Sequence, residues 1–285
     1  MTPSPTLQPR TLVLCADDYA LHPAVDNAVL QLAQAGRLSA TSCMTTSPLW
    51  PAAAPLLHVV RSTLAVGLHF NLTESHGGAT AAKPLGRVLR EAYTAIATRS
   101  HAWSAEVLRQ QWRSQLDAFE HAMGTPPDFI DGHQHVHQLP GLREAMLQEL
   151  QSRYRADEMP WVRSTAPAGS LWKQPKAAVI ALLGGWRNTQ QLHNAGIPTN
   201  DGFGGVYGFD AADASTYGQY MAQWLPHMAH GSLMMCHPAS ALVPGDAIAA
   251  QRMVEFDYLR SEVFADLLAE HHITIAQGSG RFLPR

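Results

Sequence analysis

TLVLCADD, residues 11–18, is the stretch on which the fold turns. Six apolar or small residues run without interruption and then give way to two carboxylates. A strand covered on one face alternates apolar with polar, whereas a continuous run suits a strand of a parallel sheet, buried on both faces. The run predicts a strand that stops at Asp17-Asp18. A helix follows, because Ala24, Val25, Ala28, Val29 and Leu32 recur at helical spacing, with Pro23 near the start and Gly36 placed as the stop. That is one βα unit.

Outward from this unit the alternation repeats. Strands are predicted near 40–46, 64–69, 128–131, 161–164, 232–236 and 273–276. Helices are predicted near 52–60, from Ser104 as N-cap to Gly124, and near 142–153, 214–225 and 257–270. Residues 74–103 are rich in Gly, Ala and Thr with little periodicity and read as a long loop excursion, suited to a lid over a substrate. Glycines 184, 185, 202, 204, 205 and 208 break up the stretch 166–210, where one strand is hidden near 188–206. No linker divides residues 1–285, so the reading is a single α/β domain, a (β/α) TIM-like barrel of seven or eight mostly parallel strands.

The chain has 285 residues, 46% hydrophobic and 15% charged, enough apolar material for one large core. A formal net charge of −3 leaves no basic excess for nucleic acid. There is no apolar run of about 18 residues to span a membrane. The start, MTPSPTLQPR, lacks the basic-then-apolar order of a secretory signal, which points to the cytoplasm. Cys15, Cys43 and Cys236 are odd in number, show no CxxC spacing and lie in apolar runs, so they read as buried thiols. The sequon Asn71-Leu72-Thr73 reads as incidental.

In a βα barrel, loops converge at the C-terminal ends of the strands. There the predicted strands place Asp17 and Asp18, His69, Asp131 and His133, Arg163, and His237. Adjacent carboxylates at the end of an apolar strand call for a compensating charge, and a divalent cation is the simplest one. Aspartate with two histidines suits zinc or another transition metal with positions left for water and substrate. In DGHQHVHQLP, residues 131–140, His133, His135 and His137 alternate, so a continued strand would put all three on one face; spacing does not choose among them. The other histidines, such as His22, His58, His76, His101 and His230, read as surface or capping groups.

Several pieces together resemble the YdjC-like carbohydrate deacetylases, which include chitooligosaccharide and hopanoid-associated deacetylases. They are ADDYALHPAVDNAV at 16–29, VGLHFNLT at 66–73, DFIDGHQHVHQLP at 128–140, VR at 162–163 and MCHPA at 235–239. The resemblance implies a distorted (β/α) barrel, one divalent metal ion, zinc or magnesium, and hydrolysis of N-acetyl groups on amino sugars. It implies Asp18, His69 and His133 as metal ligands and Asp17 as catalytic base, and it aligns His237 with the family's HP histidine. Tyr19-Ala20 stands where Phe-Gly is commoner, and DGHQH where several members have DSHHH.

On this reading the metal activates water, Asp17 takes its proton, and His237 protonates the leaving nitrogen. Arg163 holds Asp17, binds the oxyanion or released acetate, or makes a structural salt bridge. Tyr19, Asn71 and Trp161 are further candidates for substrate contact, with Trp172 and Trp186 as rim aromatics. The partner is an oligosaccharide or small molecule bearing an N-acetyl group, and a homodimer stays open. The alternatives are another metal hydrolase on this scaffold, such as a phosphoesterase or a sugar isomerase, and a non-catalytic sugar-binding relative.

Overall fold

The computed structural model describes residues 9–75, 82–98 and 101–278. Readings that concern residues 1–8, His76, residues 76–81 and 99–100, and the side chain of His101 lie outside the described residues. Among the described residues the strands are β1 (Arg10–Tyr19), β2 (Ala40–Cys43), β3 (Ala65–Phe70), β4 (Phe129–Gly132), β5 (Trp161–Val162), β6 (Phe203–Gly204), β7 (Leu233–Cys236) and β8 (Ile273–Ile275). The helices are α1 (Pro23–Gln34), α2 (Trp50–Ala53), α3 (Leu85–Thr98), α4 (Ala105–Met123), α5 (Leu142–Arg153), α6 (Pro175–Ile180), α7 (Trp186–Asn194), α8 (Ala214–Trp224), α9 (Ala249–Leu259) and α10 (Glu262–Glu270).

All strand pairs are parallel, in the order β5-β4-β3-β2-β1-β7-β6. One edge of β1 is shared: Arg10 to Leu12 pair with β8 and Cys15 to Tyr19 with β2, while Val13 to Ala16 pair with β7 on the other edge. The sheet curls like a barrel but does not close as a ladder. Between its ends, β5 and β6, there is only an isolated bridge from Pro167 to Phe203, with Val162 N–H donating to the Pro198 carbonyl. Both end strands are two residues long, too short for a continuous pairing. The expected TIM-like barrel is therefore an open, distorted one.

Alternation along β1 sorts its residues between two cores. Val13 and Cys15 face the interior of the curl, packed with Ala40, Ala65, Phe129, Trp161, Phe203, Leu233 and Met235, which come from the other long-order strands. Leu12, Leu14 and Ala16 face the helices. The interior is filled by side chains rather than being a pore. Phe129 stacks on Trp161 with ring centroids 4.4 Å apart, and Gly67 on β3 lacks the Cβ that would stand 2.5 Å from the Phe129 ring.

Helix ends follow their local chemistry. His22 Nδ1 accepts from Ala24 N–H at the start of α1, and Ser104 accepts from Val107 N–H at the start of α4, which ends at Gly124 with φ of 70°. Three readings of the sequence differ from the structure. β1 does not stop at the aspartates but runs to Tyr19. The stretch 74–103, read as loop, carries α3, whose Val88 and Ala92 are buried on one stripe. The helix read at 257–270 is two, α9 and α10, separated where Ser261 caps α10.

Candidate active site at the carboxyl ends of the strands

The site is the next layer of the interior. Two residues beyond the last inward-facing small or apolar residue of six strands the same face carries a polar side chain: Asp17 beyond Cys15, Ser42 beyond Ala40, His69 beyond Gly67, Asp131 beyond Phe129, Arg163 beyond Trp161, His237 beyond Met235. Alternation alone would send Asp18 outward. Instead the register of β1 against β2 shifts between Ala16 and Tyr19, and Asp18 takes φ of 71°, a left-handed conformation that Asp adopts more readily than most residues. The bulge turns both aspartates toward one cluster of polar side chains.

Two hydrogen-bonded halves result. Arg163 donates to both oxygens of Asp17, at 2.6 and 2.7 Å, and also meets Asp131 Oδ2 at 2.5 Å. Burial works to raise the Asp17 pKa, but the Arg163 guanidinium outweighs it and holds the carboxyl well below the usual range. His237 Nε2 lies 3.9 Å from Asp17 Oδ2, and its backbone N–H donates to Glu255 at 2.5 Å. Asp18 forms the other half. Its Oδ1 is 3.0 Å from His133 Nδ1 and 3.3 Å from His69 Nε2, and its Oδ2 accepts from Arg252 at 2.7 Å. Burial again opposes ionisation, and Arg252 followed by His133 overcomes it, so Asp18 too is held well below the ordinary carboxylate range.

His69 joins the halves. It stands in register with Asp131 across β3 and β4, and its Nδ1 is 2.6 Å from Asp131 Oδ1. With Nδ1–H donated to that carboxylate, Nε2 points toward Asp18 Oδ1. Burial depresses the His69 pKa, but Asp131, Asp18 and Asp17 together raise it to about 10. Asp18 Oδ1, His69 and His133 present ligand atoms within 4.8 Å of one another, and these three residues fit a divalent cation. A proton on His69 or a cation relieves the approach of their lone pairs. The buried set Cys15, Asp17 and Asp131 converges as closely, but the Arg163 guanidinium lies among them. Burial raises the Cys15 thiol pKa, as it does those of Cys43 and Cys236, and all three are unpaired thiols.

Comparison with known proteins places this arrangement. The model of the YdjC-like protein family matches residues 11–270. The chain belongs to the YdjC-like family. Among curated relatives, a carbohydrate deacetylase of Mus musculus is 29% identical over 50% of this chain and 47% of its own length. One of Homo sapiens is 28% identical over 60% of this chain and 54% of its own. This chain thus spans about half the length of these relatives. A chitooligosaccharide deacetylase of Serratia marcescens is 27% identical over 92% of this chain and 95% of its own. A solved structure from Enterococcus faecalis V583, described as a cellobiose-phosphate cleavage protein, superposes with a TM-score of 0.69 at 19% identity, covering 94% of this chain and 97% of that one, and shows a shared fold.

Within this YdjC-like chain, Asp17, Asp18, His69, His133 and His237 come together, while Tyr19, Asn71, Trp161 and Arg163 are enclosed and the rim aromatics Trp172 and Trp186 are exposed. Tyr19 and Arg163 are 0% exposed, Trp161 3% and Asn71 4%, as enclosed as Asp17 at 2% and Asp18 at 1%. The Tyr19 hydroxyl donates to the Ala53 carbonyl, and Trp161 is an interior stacking partner. Asn71 shapes a turn: its side chain accepts from Thr73 and Glu74 N–H and donates to Thr46 Oγ1 and the Glu74 carbonyl. That turn sets Glu74 3.8 Å from His133 Nε2. Of the expected options for Arg163, the contact with both Asp17 oxygens matches the one in which it holds Asp17 in place.

The three alternating histidines do not share a face. β4 ends at Gly132, and Gln134 and His135 take φ of 51° and 59°, which breaks the strand's alternation. His137 is buried and His135 is half-buried, and desolvation lowers both pKa values, that of His137 to about 4, with His135 also close enough to Arg163, Asp17 and His237 to feel their charges. His137 Nε2–H donates to the Arg163 carbonyl at 3.1 Å.

Arg252, Glu255 and Asp246 were not among the residues singled out from the sequence. Their signal is nonetheless there: Arg252 and Glu255 fall on the stripe of buried Phe256 and Leu259 in α9, and charges on an apolar stripe need buried partners.

Proposed function

We propose that this protein is a metal-dependent carbohydrate deacetylase that hydrolyses the N-acetyl group of an amino sugar or its oligosaccharide. The observation that carries the reading is the convergence of the Asp18, His69 and His133 ligand atoms beside the Asp17–His237 pair. The membership of the family and the names of the relatives support it.

One divalent cation held by Asp18, His69 and His133 supplies an acidified water and a polarised acetyl carbonyl. Two histidines and a carboxylate favour zinc over magnesium. Asp17, kept ionised and aimed by Arg163, accepts the proton of the attacking water. His237 Nε2, 3.9 Å from Asp17 Oδ2, donates a proton to the departing nitrogen. Asp131 fixes His69 through Nδ1, which leaves Nε2 for the cation. A phosphoesterase is less well served, because Arg163 and Arg252 are both committed to carboxylates and neither is free to hold a phosphate.

Acetate release tests the reading on N-acetylglucosamine, its β-1,4 oligomers, O-acetylated sugars and phosphorylated disaccharides. The expected result is release from N-acetylated sugars that stops on metal removal. Phosphate release without acetate release would assign the protein to the phosphoesterases.

A further inference from the structure

Each of the two aspartates has its own arginine. Arg163 serves Asp17 from beneath, and Arg252 reaches Asp18 from α9 with a side chain 2% exposed. The Arg252 guanidinium spans two carboxylates: Nη2 binds Asp18 Oδ2 at 2.7 Å, and Nε binds Asp246. Asp246 is itself fixed, accepting from Ile248 N–H at 3.2 Å and, through its carbonyl, from Ala249 N–H where α9 begins. Asp18 is thereby held at both ends. Its backbone is set by the bulge of β1 and its Oδ2 by Arg252, so Oδ1 alone faces the two histidines.

We infer that Arg252 is a positioning residue that makes Asp18 a single-oxygen ligand of fixed direction and keeps the three-ligand geometry formed before a cation arrives. The inference rests on the reading of Asp18, His69 and His133 as the metal centre. A carboxylate free to rotate can present either oxygen or both to a cation, and chelation by both fills a coordination position that water or substrate needs. A guanidinium locks one oxygen through a directional charge-assisted hydrogen bond. Outer partners of this kind typically govern metal affinity about 10- to 100-fold. A purely structural tie between α9 and β1 would instead change stability and leave the bound cation's surroundings alone.

The experiment measures zinc affinity by calorimetry and the visible spectrum of the cobalt(II)-loaded protein for the wild type and for Arg252→Met, Arg252→Lys, Asp246→Asn and Glu255→Gln. Melting in chelator checks that each variant folds. Arg252→Met is expected to weaken zinc binding about 10- to 100-fold and to alter the cobalt bands, which report coordination number and symmetry. Arg252→Lys, whose ammonium still reaches Asp18 Oδ2, restores most of the affinity. Asp246→Asn, which loosens the guanidinium, gives a smaller loss in the same direction. Glu255→Gln, one turn along α9 and bound to the His237 backbone, leaves zinc affinity unchanged. Unchanged affinity and spectrum in Arg252→Met overturn the inference. If that variant does not fold, unchanged affinity in Asp246→Asn together with no rescue of folding by Arg252→Lys overturns it equally. A loss in Glu255→Gln as large as that in Arg252→Met shows general disturbance of α9 and also overturns it. A wild-type protein that binds neither zinc nor cobalt sinks the metal centre itself.

Discussion

Asp17 and Asp18 differ by one position, yet their surroundings prepare them for different work. Asp17 has both oxygens on Arg163, so it stays ionised and immobile, while Asp18 offers one oxygen to two histidines. Asp17→Asn should therefore retain one equivalent of metal and lose about 10²- to 10⁴-fold in turnover, the usual share of a general base. Turnover near that of the wild type would remove Asp17 from the reaction. His237→Ala should slow amide substrates far more than activated esters, whose leaving groups need little protonation; equal losses would point to a structural role for this histidine. His135 and His137 act as controls for His133. Neither belongs to the set whose ligand atoms converge with Asp18, so alanine at either should leave metal affinity unchanged, whereas His133→Ala should reduce it sharply.

At this scale the sequence showed residue types and strand ends but not which way a side chain turns. The argument that paired carboxylates require a cation loses its force here, because Arg163 and Arg252 already balance them. The case for a metal rests on converging ligand atoms instead. Tyr19, Asn71 and Trp161 lie at strand ends as expected, yet each turns into the protein, a choice made by tertiary packing.

Among the elements, β1 and α1 were legible because apolar run, helical spacing, proline and glycine agree. The bulge was not, since only pairing with β2 reveals it. The helix α3 escaped because glycine and alanine around it mask the stripe of Leu85, Val88, Leu89 and Ala92. The turn from β1 into α1 carries a pH-sensitive group. Asp26 on α1 is buried, accepts from Ala20 N–H at 2.6 Å, and has its pKa raised by burial to about 6 against the pull of that hydrogen bond. The folded state then holds its proton more tightly than the unfolded one. Asp26 thus costs stability above pH 6, and the cost disappears as pH falls toward the unfolded value of about 3.9. Asp26→Asn should raise the melting temperature by a few degrees at pH 7.5 and by progressively less toward pH 4.5. A difference independent of pH would assign the change to packing rather than ionisation.

For the whole molecule, alternation of strands and helices indicated a TIM-like barrel of seven or eight mostly parallel strands with its polar groups at one end, and the fold bears out the parallel, barrel-like sheet. Its openness was not legible, because β5 and β6 are two residues each in a stretch broken by glycine and proline. The three proposed ligands, from β1, β3 and the segment after β4, meet only in the folded sheet, so the account makes activity and metal occupancy inseparable. The most direct measurement is acetate released from an N-acetylglucosamine oligomer by protein stripped with chelator and reloaded with zinc in steps. The account predicts no release from the stripped protein and full recovery at one equivalent per chain. Release that persists after stripping, or no release at any zinc loading, would contradict it.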